Sequence, residues 1–62
     1  MGWRREIRDR IAELEQQRLR LEAQRRRARR LGGPESERLE AELSAKVQEI
    51  GHHIDDLRTS LK

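Results

Sequence analysis

Apolar residues recur along this chain at spacings of three, four and seven. Trp3, Ile7, Ile11, Leu14, Leu21 and Ala28 follow that rule in the first half, and Leu39, Leu43, Val47, Ile50, Ile54, Leu57 and Leu61 in the second. Such spacing gathers side chains on one face of an α-helix, which turns once in about 3.6 residues. From Leu43 on it becomes a strict four-three alternation, the signature of a coiled-coil seam. The two stretches meet at Leu31-Gly32-Gly33-Pro34, the only run of helix breakers in the 62 residues. Glycine adopts the left-handed backbone that ends a helix, and proline suits the first position of the next.

The pattern therefore predicts one all-α domain. A first helix spans about 3–31, a turn 32–34, and a second helix about 35–61. Folded back on each other, they form an antiparallel two-helix hairpin, a coiled coil roughly 42 Å long at ~1.5 Å per residue. Glu6–Arg10 and Glu22–Arg26 have the i,i+4 spacing of supporting ion pairs. Chains this short seldom bury enough core alone, so the expectation extends to a homodimer, two hairpins forming a four-helix bundle. The expected interface residues are Ile7, Ile11, Leu14, Leu21, Leu43, Val47, Ile50, Gly51, Ile54, Leu57 and Leu61.

Three features qualify a plain leucine seam. Arg18 and Arg25 continue the stripe of the first helix where leucine is expected. Their alkyl stems can lie along the seam with the guanidinium heads in water, or the heads can meet an acidic partner or an anionic ligand. Gly51 interrupts the second helix at a cost of about 1 kcal/mol relative to alanine, which asks for a reason such as close approach of a helix or ligand. Around it, Ala41, Ser44, Ala45, Gln48, His52 and Thr59 form a second face of small or uncharged residues beside the seam.

Charge sharpens the hairpin reading. Although the net charge is +3, residues 1–33 hold 11 Arg against 5 acids, and residues 34–62 hold 4 Lys/Arg against 7 acids. The halves attract, which favours antiparallel docking. There is no cysteine, so no disulfide and no thiolate metal site. No apolar run approaches the roughly 18 residues of a membrane span, and no signal-peptide core precedes a cleavage site. These features lead us to expect a cytoplasmic protein without membrane contact.

Little in the chain suggests catalysis. His52 and His53 are adjacent and so diverge by about 100° on a helix; only with Asp55 or Asp56 would either reach metal-ligand spacing. Gly32-Gly33 lacks the pattern of a phosphate loop. Ile7-Arg8-Asp9-Arg10-Ile11 through Arg25 to Leu31-Gly32 resembles the first helix of the all-helical chorismate mutases, in which an early and a later Arg, here Arg8 and Arg25, bind substrate carboxylates. The lysine that family carries after the glycine is missing, as is a third helix, and the expectation is a non-enzymatic protein without cofactor. The block Arg25 to Arg30 offers a different function, contact with nucleic-acid phosphates.

Glu40, Ser44, Val47, Gly51 and Asp55 run along the second helix at i, i+4, i+7, i+11 and i+15. With Glu42-Leu43-Ser44 and Ile54-Asp55-Asp56-Leu57-Arg58, this stretch resembles a helix of the RsiG family of actinobacterial anti-sigma factors. That family consists of antiparallel hairpins that bind cyclic di-GMP and hold a sigma factor inactive. Its motif has Glu, Ser, Arg, Gln and Asp at these spacings; this chain keeps Glu40, Ser44 and Asp55 and departs at Val47 and Gly51. The resemblance implies a ligand site at Glu40, Ser44 and Asp55; the charge that the missing Arg would bring could come from Arg18, Arg20 or Arg25 of the first helix. The function so implied is an anti-sigma-type transcription regulator that self-associates, docks a helical protein such as a sigma factor, and responds to cyclic di-GMP. The alternatives are a basic nucleic-acid-binding hairpin and a purely structural or designed coiled-coil module.

Overall fold

The computed structural model describes residues 2–62. Two helices account for nearly all of them: α1, Gly2–Leu31, and α2, Pro34–Ser60. They pack along their length as a hairpin 50 × 14 × 11 Å. Among the described residues there is no strand, and no helix is long and apolar enough to cross a membrane.

The reversal depends on backbone that only glycine adopts freely. Gly32 has φ 70°, and Gly33 has φ 92° and ψ 171°, a region essentially closed to residues with a Cβ. Pro34 then opens α2, and the Gly33 carbonyl accepts the Glu37 amide at 3.2 Å to close its first turn. Gly33 has no side chain to cap the helix. Glu35 and Glu37 lie in that first turn, favourably placed toward the positive end of the helix dipole. Arg29 and Arg30 complement the opposite pole at the end of α1.

Both helices turn a four-three stripe inward. On α1 it is Ile7, Ile11, Leu14, Arg18, Leu21, Arg25 and Ala28, all buried or half-buried. On α2 it is Ser36, Glu40, Leu43, Val47, Ile50, Ile54, Leu57 and Leu61, likewise. Trp3 and Leu39, expected on these stripes, lie outside them and are 51% and 43% exposed. Each would place two steps of four in succession, 3-7-11 and 39-43-47, which carries a side chain off a seam averaging 3.5 residues per turn. Ser36 and Glu40 occupy the positions Leu39 was expected to share. Arg4 covers part of the Trp3 ring, its guanidinium carbon 5.4 Å from the ring centre.

The core is uneven along the rod. Ile11, Leu14 and Ile54, with Ile7, Ile50, Leu57 and Leu61 packed round them, make an aliphatic cluster at the open end, remote from the turn. Nearer the turn the seam holds Arg25, Glu40 and Ser36 among the buried Ala28 and Leu43. Ser36, buried there, donates its hydroxyl proton to the Ala28 carbonyl and staples the two helices beside the turn.

Candidate functional site

The polar half of the seam is where α1 and α2 exchange side-chain hydrogen bonds nearest the turn. Arg25 donates from Nη1 to Ser44 Oγ at 3.3 Å, partly buried. One turn on, Arg29 donates from Nε to Glu40 Oε1 at 2.9 Å, with Nη2 at 2.8 Å from the same oxygen. Glu40 keeps only 25% of its side-chain surface and Arg29 keeps 71%, so the carboxylate is sheltered and the guanidinium faces water. The inward four-three stripes put these residues across from one another, because Arg25 and Glu40 are both seam positions and Ser44 and Arg29 flank them.

Three of the residues expected to bind ligand, Arg25, Glu40 and Ser44, therefore come together. Arg18 is half-buried in the seam two turns earlier on α1, about 10 Å from Arg25 along the axis. Asp55 is exposed on α2, about 22 Å beyond Glu40, and its carbonyl accepts the Thr59 hydroxyl at 2.9 Å. Neither joins the cluster. Val47, where the RsiG-type motif carries Arg, is half-buried in the seam and so points between the helices. Sequence reasoning missed Arg29. Pairing the two four-three repeats outward from the turn sets Arg25 opposite Glu40, and Arg29, one turn nearer the reversal, flanks that pair closely enough to reach the carboxylate.

The remaining contacts are at the surface. Arg58 Nη2 lies 2.7 Å from Glu15 Oε1 and clasps the open half of the same flank. Arg10 pairs with Glu13 at 3.1 Å instead of Glu6, and Glu22–Arg26 is not among the ion pairs of the described residues. Exposed i,i+3 and i,i+4 pairs are close in energy, so spacing alone does not choose between them.

Arg26, Arg27 and Arg30 are exposed near the turn and, among the described residues, have no carboxylate within ion-pairing distance. Arg8 and Arg25, the pair of the chorismate mutase resemblance, are about 25 Å apart along α1. His52 and His53 are both exposed, and no group of three His, Asp or Glu side chains among the described residues is placed to hold a metal ion. An open depression bordered by Glu13, Gln16, Gln17 and Arg20 lies on the outer side of α1 and includes none of the clustered residues.

The class these features define is an all-α helical hairpin whose seam is aliphatic at one end and polar at the other. No protein-family model matches the chain, and comparison with curated proteins and with solved structures finds no significant match to either.

Proposed function

We propose that this hairpin acts by binding and not by catalysis, as a self-associating cytoplasmic regulator that docks a helical protein partner in the manner of an anti-sigma factor responsive to cyclic di-GMP. The observation that carries the reading is the polar break in the seam. Leucine at these positions would pack the seam more tightly. This hairpin instead sets Arg25 on Ser44 and Arg29 on Glu40, between its two helices. Guanidinium groups offer planar, multi-donor recognition of phosphate, and a carboxylate accepts from the edge of guanine. A ligand bound to both helices there would brace the half of the hairpin with least aliphatic packing, and so favour one helix pairing and one partner surface.

The test is a thermal melt with cyclic di-GMP, with binding to a helical sigma-factor domain measured beside it. A ligand specific to the folded state stabilises by about 2.7 kcal/mol at a hundredfold excess over Kd. The reading expects the melting temperature to rise, the rise to vanish in Arg25→Ala, and partner capture to require the nucleotide. An unchanged melt at millimolar nucleotide would remove the nucleotide-responsive regulator.

A second reading rests on Arg26, Arg27 and Arg30, exposed and unpaired as described. A hairpin that grips phosphates through them binds duplex DNA or RNA with an affinity that falls steeply as salt rises, by about 0.9 log units per log unit of salt for each phosphate contacted on duplex DNA. Charge reversal at Arg26 and Arg30 would abolish such binding and leave the nucleotide response intact.

A further inference from the structure

One long side of the rod has the makings of an interface for a second copy of this chain. The Glu15–Arg58 and Arg25–Ser44 contacts mark that side, since they bridge α1 and α2 along it. On α1 its central residues are Ala12, Leu19 and Glu22, and Leu19 is 56% exposed, in the middle of the helix and away from the turn and the ends. On α2 they are Ala41, Ser44, Gln48 and Gly51, all small or uncharged. Gly51 is half-buried, yet a Cβ added to it would meet nothing within 4 Å. Close approach of α1, one reason a glycine would be expected there, is therefore not what it serves inside the hairpin.

Surface area says how much remains to be covered. The chain exposes 5320 Å². A compact folded monomer of 7.4 kDa exposes about 4200 Å². The surplus, roughly 1100 Å², is the consequence of a rod only two helices thick, and a stable interface takes roughly 800 Å² from each partner. One more hairpin laid alongside would cover most of it.

The geometry points to a second copy of this chain as the occupant, docked two-fold with both turns at the same end, so that α1 of each lies against α2 of the other. That inference rests on the self-association proposed above and names its surface. In this arrangement the protruding Leu19 meets the small stretch from Ser44 to Gly51 of the other copy, twice by symmetry. Charge matches at the turn end, where Arg26 and Arg29 of α1 lie near Glu37 of the other α2; toward the open end Arg5 and Arg8 lie near Asp55 and near Arg58, whose charge is met by Glu15 of its own hairpin. Shape and charge thus both complement the chain's own surface, as an isologous interface requires.

The experiment is sedimentation equilibrium across micromolar concentrations, with helicity followed by circular dichroism. Wild type, Leu19→Glu, Gly51→Leu and Leu39→Glu are compared. A Cβ at 51 meets nothing within 4 Å in one hairpin, and leucine improves helix propensity over glycine, so folding is expected to survive the change, with helicity as the check. The expected result is a dimeric wild type, a dissociation constant at least tenfold weaker in Leu19→Glu and Gly51→Leu with helicity kept, and an unaltered dimer in Leu39→Glu, which changes the opposite flank. A dimer that tolerates Leu19→Glu and Gly51→Leu overturns this interface and leaves self-association standing. A monomeric wild type overturns both.

Discussion

Ser36 is the one polar residue buried in the described chain, and its position beside the turn explains why a serine is kept there. Its hydroxyl satisfies the Ala28 carbonyl close to the end of α1, where helical acceptors run out. Ser36→Ala should therefore lower stability by about 1 kcal/mol, the net worth of such a bond, and a urea melt read by circular dichroism would register it. Arg18 presents the opposite case. It holds a seam position between Leu14 and Leu21 and makes no hydrogen bond to another described side chain. Arg18→Leu should fill the seam and stabilise the hairpin by about 1 kcal/mol, which for a domain of this size raises Tm by roughly 4–8 °C. A fall in Tm would mean that the guanidinium already has a partner that a single hairpin does not supply.

Each helix is held by its partner more than by itself, and the grip is tighter at one end. Ile54 is 1% exposed at the centre of the open-end cluster. Ile54→Ala should cost about 2–5 kcal/mol and melt both helices together, since α1 and α2 share that cluster. Toward the turn, order depends more on backbone geometry. Gly33→Ala should cost about 1–3 kcal/mol, because φ 92° with ψ 171° is barred to alanine. Hydrogen exchange should be slowest around Leu14 and Ile54 and faster around Arg25 and Glu40, where polar side chains replace aliphatic packing.

Seen as a whole molecule, the hairpin was legible wherever the repeat was strict. The four-three run from Leu43 to Leu61 and the Gly32-Gly33-Pro34 break are local signals, and the folded chain follows both. Hydrophobicity misled at Trp3 and Leu39, where register outweighed residue type: the stripe passes through Ser36 and Glu40 because spacing, not polarity, decides which side chain faces inward. The candidate site was legible in part. Arg25, Glu40 and Ser44 converge, whereas Arg18 and Asp55 share their faces but lie turns away along the axis. The four-three repeat assigns a residue to a face; only the cross-helix register tells which residues meet. Arg29 became visible only through that register.

The claim on which the account depends most is the reversal itself, and a distance across the open end tests it directly. The chain has no native cysteine, so spin labels can be placed at the exposed positions Arg5 and Thr59 and diluted with unlabelled chain to isolate distances within one molecule. An antiparallel hairpin with axes about 8–10 Å apart places the labels within roughly 25 Å of each other. A peak near 80 Å, the span of one continuous helix at ~1.5 Å per residue, would contradict it.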